Sequence, residues 1–286
     1  MADPIGARHH SLQRLRRLSR RRSARTDEGA FVIDGPTLLA DALAAGVAID
    51  EVVAEPGCPD DLLDRATAAG ATVRRAAEGL LARATDTVTP HGVAAVARLP
   101  RLAATDALAT AGPLALVLVG VGDPGNAGTL LRSAEAAGAG AVVFCDGSVD
   151  PYSPKCVRAS AGSVLRLAVA REGDSGGVLA GCAERGLRTV GTLARDGVPY
   201  DEADLARPTA LVLGSEAHGL PAEVAAAVDL AVTIPMAGRA ESLNVAMAGT
   251  VLCFESLRRR RHATTTPQQG NELDGTPLRA AGCTTT

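Results

Sequence analysis

Apolar residues fall along this chain in two kinds of run, and their alternation predicts its elements. Short continuous apolar stretches read as buried strands, and stretches with apolar positions every third or fourth residue read as helices packed on them. FVIDG (31–35) predicts a strand ending in a turn, TLLADALAAG (37–46) a helix stopped by Gly46, and IDEVVAE (49–55) a second strand. DLLDRATAAG (61–70) is a helix again and ATVRRA (71–76) a strand. A short helix, a polar turn and a strand over 92–98 complete a small α/β unit, and 101–113 reads as a connection.

The second half alternates more clearly. LALVLVGV (114–121) is a strand and GTLLRSAEAAGA (128–139) a helix. AVVFCDG (141–147) is a strand, and SPKCVRASAGSVLRL (153–167) contains a helix. A helix near 176–185, strands over 188–194 and 209–215, helix AEVAAAV (222–228), a strand over 230–235 and a long helix over 242–261 follow. The expected fold is α/β: a parallel-sheet domain over 110–262, preceded by a smaller α/β domain over 26–105. Residues 1–25 are expected to form a basic arm or helix, and 263–286, without periodicity, a disordered tail.

Composition sharpens this picture. Apolar residues make up 47% of the chain but aromatics only 2%, so Ala, Leu and Val must build the core. Base-stacking platforms are correspondingly scarce. The net charge of −3 excludes a polycation, yet seven arginines crowd between Arg14 and Arg25, and Arg258–Arg261 forms a second run. Leu12, Leu15 and Leu18 recur among the first group, which predicts an amphipathic helix with a basic outer face. Arg14, Arg17 and Arg21, with Arg158, are the candidate RNA contacts. The six cysteines show no C-x-x-C pair and no metal-ligand spacing with His, so a reducing compartment and no metal are expected. No apolar stretch approaches the ~20 residues of a membrane span, and no apolar run follows the basic start as in a secretory leader. A cytoplasmic protein is expected.

Gly120, Gly122 and Gly125 fit the G-x-G-x-x-G spacing of a dinucleotide loop, and Asp146 stands about 20 residues on, where a ribose-binding acid would sit. Asp123 and Pro124 argue against that use. A carboxylate inside the loop repels a pyrophosphate, and proline removes an N–H from an anion nest. Two further loops leave strand ends: LVLGSEAHGL (211–220) and IPMAGRAESLNVAMA (234–248). In the last, Ser242 is placed to cap a helix and Asn244 to lie in its first turn.

These three stretches together resemble the SpoU (TrmH-like) family of RNA 2′-O-ribose methyltransferases, within the SPOUT class. The resemblance rests on Asp123, Pro124, Asn126, Gly128 and Arg132; on Gly214, Glu216, Gly219 and Leu220; and on Ile234–Met236, Gly238 and Ser242–Val245. PKCVRASAGS (154–163) is similar to the intervening segment, and FVIDGPTLLADAL to the substrate-binding domain often fused ahead, with Asp34 where that domain usually has Glu. The resemblance implies a trefoil knot, a homodimer, and an S-adenosylmethionine site lined by Leu213, Gly214, Ile234, Met236 and Leu243. It implies catalytic roles for Arg132, Asn126, Glu216, Ser242 and Asn244. Arg132 would stabilise the developing alkoxide, since arginine stays charged. Glu216 would organise the loops rather than accept the proton. His218 and His91 are read as structural. Close backbone approach in a knot would explain Gly214, Gly219 and Gly238. Ribosomal RNA is the expected substrate. A tRNA methyltransferase, a non-catalytic knotted RNA-binding protein and, distantly, a nicotinamide oxidoreductase are the alternatives.

Overall fold

Three leucines, rather than the surrounding arginines, decide how the chain starts. The computed structural model describes residues 4–85 and 92–265. Helix α1 (His10–Arg20) buries Leu12, Leu15 and Leu18, and α2 (Arg22–Glu28) ends at Gly29 in the left-handed region. Together they cover one face of a four-stranded sheet. Its elements are β1 (Ala30–Asp34), α3 (Pro36–Ala44), β2 (Ile49–Ala54), α4 (Asp60–Ala68), β3 (Thr72–Arg75), α5 (Leu80–Thr85) and β4 (Val93–Arg98). The strand order is β1-β4-β2-β3, with β4 antiparallel to both neighbours and β2 parallel to β3. The period of two sends Val32 to the α1 face and Phe31 and Ile33 to the other.

The connection over 101–113 contains a helix, α6 (Ala104–Ala109). Then come β5 (Leu114–Leu118), α7 (Pro124–Ala136), β6 (Ala141–Phe144), α8 (Pro154–Ala159), β7 (Ala168–Arg171), α9 (Ser175–Glu184) and β8 (Arg188–Thr192). The chain continues through β9 (Val198–Pro199), β10 (Thr209–Leu213), α10 (Ala222–Ala227), β11 (Leu230–Thr233) and α11 (Val245–Thr265). The second sheet is parallel throughout, in the order β7-β6-β5-β10-β8-β11-β9. Its interior strand β5 is buried on both faces, Leu114, Leu116 and Leu118 toward α7 and α11, Ala115 and Val117 toward α6 and α9. That explains its unbroken apolar run. Strand β7 is not predicted from the sequence, because AVAR is short, Ala-rich and ends in a charge.

The two sheets share one core. Phe31 of β1 packs on Tyr152 with ring centroids 5.0 Å apart, inside a cluster that runs from α3 and α4 through to α7. Charged groups tie the same seam. Arg25 of α2 is buried, donating to Asp150 at 2.8 Å and to the Leu18 carbonyl at 2.6 Å, while the other Asp150 oxygen accepts the Tyr152 N–H. Arg158 lies 3.9 Å from Asp34, and Arg166 reaches Asp41 of α3 as well as Glu135 of α7. The first unit is therefore held in a set orientation over the second.

The five described cysteines are buried. Burial pushes the thiols of Cys145, Cys156 and Cys253 up to about 12 and that of Cys182 to about 11, which keeps them protonated and unreactive. Cys283 and the residues from 266 onward lie outside the described residues. Among the described residues no cluster could hold a metal ion, and no helix is long and apolar enough to cross a membrane.

Removing Arg25 strands a buried carboxylate. Arg25→Ala is expected to cost about 3–5 kcal/mol in urea unfolding, whereas the apolar pair Arg25→Met with Asp150→Leu recovers most of that loss. Equal destabilisation by the single and double variants would refute the assignment.

Candidate functional site

The first motif loop is closed by carboxylates. β5 gives way to Gly120, and α7 begins at Pro124, four residues before the predicted start, because Asp123 caps it. The Asp123 carboxylate accepts the N–H groups of Gly125 (2.7 Å) and Asn126 (2.9 Å), and Lys155 approaches it at 3.3 Å. The Asn126 N–H in particular, with Lys155 and the Gly125 N–H, holds Asp123 below its ordinary value. Glu216 accepts the N–H groups of Gly122 (3.2 Å) and Asp123 (3.3 Å). The donors of Gly122, Asp123, Gly125 and Asn126 are thus all taken by two carboxylates, and Pro124 has none. A pyrophosphate would find no nest here, which rules out the dinucleotide use of these glycines.

The same carboxylate joins the other two loops. Glu216 follows β10 in a turn closed by reciprocal Ser215–Gly219 backbone bonds of 2.9 Å. Gly219 has φ +67, and a Cβ on Gly214 would collide with the Gly219 carbonyl carbon and the Leu220 nitrogen, so both glycines are required. Gly238 has open space around it and no such requirement. The Asn126 amide donates to Glu216 at 2.8 Å, and Asn244 donates to the Asn126 oxygen at 3.0 Å. Asn244 also accepts the N–H groups of Ala246 and Met247, so Asn244, and not Ser242, caps α11. Burial opposes ionisation of Glu216, but its hydrogen bonds, that from Asn126 foremost, outweigh this and hold it below 4.5. A carboxylate so committed is a poor proton acceptor and a good anchor.

Between the loops after β8, β10 and β11 opens a cavity of about 380 Å³. Gly214, Ile234, Met236 and Leu243 line it, with Ser242 and Glu216 at its polar side. Leu213 does not; it is fully buried beneath, against Gly249 of α11. Thr192–Ala194 also line the cavity; the sequence places them inside a strand over 188–194, whereas β8 ends at Thr192 and the chain turns into the cavity wall. The walls are mostly apolar, and Glu216 is the one carboxylate among the lining residues. That donor set fits a flat heterocycle joined to a cationic centre, and the size falls in the range of small-molecule sites.

Arg132 stands apart from this cavity, exposed on α7 and about 9 Å along the helix from Asn126. It makes no hydrogen bond or ion pair with a described residue. Of the candidate RNA contacts, Arg14 pairs with Glu28 and Asp50 and Arg17 with Glu28, whereas Arg21 is exposed. Arg158 faces Asp34 across the seam. The second basic run is partly internal: Arg258 and Arg259 bind Glu255, and Arg260 donates to the Ala137 carbonyl. His218 is exposed at the loop tip, and His91 lies outside the described residues.

Loop closure depends on ionised Glu216 and Asp123. The stability it adds is complete above pH 4.5 and is lost as pH falls through their lowered folded values. The melting-temperature gap between the wild type and Glu216→Gln should therefore shrink between about pH 6 and pH 3. A constant gap would count against the clamp.

Two family models match successive parts of the chain. The SpoU rRNA Methylase family matches residues 113–254, and the MRM3-like substrate binding domain matches residues 10–95. The 23S rRNA (guanosine(2553)-2′-O)-methyltransferase RlmP of Bacillus subtilis is 35% identical, covering 80% of this chain and 89% of its own. An AdoMet-bound rRNA methyltransferase from Sinorhizobium meliloti superposes with a TM-score of 0.82 at 30% identity, over 91% of this chain and 98% of its own. The SpoU methyltransferase AviRb from Streptomyces viridochromogenes, in complex with AdoMet, does so with a TM-score of 0.79 at 28% identity, over 89% of this chain and all of its own. With a relative matched over most of both lengths, and the three loops bound into one site, this chain belongs to the SpoU family of RNA methyltransferases.

Proposed function

We propose that this protein methylates a ribose 2′-oxygen of 23S ribosomal RNA, using S-adenosylmethionine. The observation that carries this reading is the hydrogen-bonded chain Asn244–Asn126–Glu216, which gathers three strand-end loops beside one apolar cavity. The RNA class follows the relatives, three of which are 23S rRNA 2′-O-methyltransferases by name. The apolar side chains of Ile234, Met236 and Leu243, with the backbone at Gly214, would hold the cofactor; Leu213 supports them from beneath. When bound, the cofactor supplies a methyl group on a positively charged sulfur.

The chain's own residues supply alignment and charge. Ser242 lines the cavity and is exposed, placed to hold the target ribose. Arg132 carries a permanent charge that stabilises the alkoxide developing as the hydroxyl proton leaves. Glu216, Asn126 and Asn244 fix the loops and so act on orientation, which is worth several kcal/mol in aligned displacements.

Arg132 reaches a reaction centre through association of two copies. Leu243 and, on α11, Met247 and Phe254 are 40%, 54% and 45% exposed, a stripe of large apolar side chains at helical spacing. α11 packs beside α7, where Ser133 and Thr250 bond at 2.7 Å. A homodimer through this face would bring Arg132 toward the partner's cavity. The trefoil knot is part of the same proposal: the 234–244 segment would thread past the 214–220 turn. Such an enzyme works where ribosomes are assembled, in the cytoplasm.

Arg132→Ala should lower kcat for rRNA methylation by about 10²–10³ while S-adenosylhomocysteine binding in calorimetry stays unchanged. Phe254→Glu should give a monomer by light scattering with little methylation. Full activity of Arg132→Ala, or an active monomer, would overturn these roles.

A further inference from the structure

A second cavity, of about 290 Å³, opens where the two units meet, and methyl transfer leaves it without a role. Its floor is the turn after β6 and the end of β7, and Arg22 of α2 closes it from the other unit. Four charged residues line it: Arg22, Arg171, Asp146 and Glu172. The side chains of Arg22, Arg171 and Asp146 make no hydrogen bond or ion pair with a described residue. The neighbouring arginines behave differently. Arg14 and Arg17 bind Glu28, Arg25 binds Asp150, and Arg166 binds Glu135. One oxygen of Glu172 accepts the Gly173 N–H.

We propose that this cleft holds one nucleotide of the substrate RNA, a few positions along the strand from the methylated one. Its phosphate sits between Arg22 and Arg171, and a donor on its base edge binds the Asp146 carboxylate. The proposal rests on the rRNA-methyltransferase reading and adds a specificity site to it. Geometry supports the placement. The cleft lies over the β6–β7 ends and the cofactor cavity over β10, β8 and β11, three to four strand spacings away, or about 17 Å along one sheet edge. The cleft touches the loop after β5, since a Cβ on Gly147 would meet the Gly120 Cα at 3.2 Å. The buried Arg25–Asp150 pair lies three residues from Arg22 and fixes the walls, so the cleft is formed before RNA arrives.

Charge selects the ligand. Two guanidinia suit phosphate oxygens, but a bare phosphate would also meet the Asp146 and Glu172 carboxylates. An ionised carboxylate only accepts hydrogen bonds, so its partner is a neutral donor such as a base amino group. A nucleotide offers both chemistries at once, and a scarcity of aromatics leaves hydrogen bonding as the means of reading it.

The test uses the full chain, labelled S-adenosylmethionine and an unmodified 23S rRNA transcript. Arg22→Ala and Arg171→Ala should each raise KM for RNA and reduce the slope of log affinity against log salt by about 0.7. Asp146→Ala should raise KM about three- to tenfold with that slope unchanged, because its partner is neutral. Melting temperatures and S-adenosylhomocysteine affinity should match the wild type. If the wild type methylates the transcript and all three variants match its KM, the cleft proposal fails alone. Tighter RNA binding by Asp146→Ala would overturn the base-edge contact. A wild type that leaves the transcript unmethylated overturns the rRNA reading itself.

Discussion

One carboxylate holds the functional end of this molecule together. Glu216 binds two backbone N–H groups of the loop after β5 and the Asn126 amide, and through Asn126 it reaches the cap of α11. Without it, loops separated by some ninety residues would have no polar reason to meet. The cavity exists because they do. The clamp also explains why a glycine loop at a strand end does not bind an anion: its donors are already satisfied from within.

The clamp works on a rigid base. The parallel sheet buries β5 on both faces, and α7 and α11 lie side by side on one of them. Gly249 permits that packing, since a Cβ there would overlap Leu130 of α7, and Gly128 lets α8 pack closely on α7. The first unit adds a second rigid body, joined through a shared core and the buried Arg25–Asp150 pair. Substrate recognition and methyl transfer therefore occur on surfaces whose relation is set during folding.

Arginine serves two purposes here. Much of the basic N-terminal cluster is consumed in holding α1 and α2 in place, through Glu28, Asp50 and Asp150. Others, among them Arg21, Arg22 and Arg132, are left facing solvent. With so few aromatics, affinity must come from charge and hydrogen bonding, which couples binding to salt.

The sequence by itself determined the alternation of strands and helices, the two units and the order of the three motifs. Those signals are local: apolar periodicity, helix stops and fixed spacings within one loop. Even local reading slipped where a short charged-ended strand, β7, lacked a pattern, and where Asn244 rather than Ser242 took the cap. Only the tertiary structure decided that Glu216 meets Asn126, that Leu213 lies under the cavity while Thr192–Ala194 line it, and that Arg14 and Arg17 pair with acids of the same unit. The reason is that a side chain's partner across a fold depends on strand order and packing, which no spacing along the chain encodes.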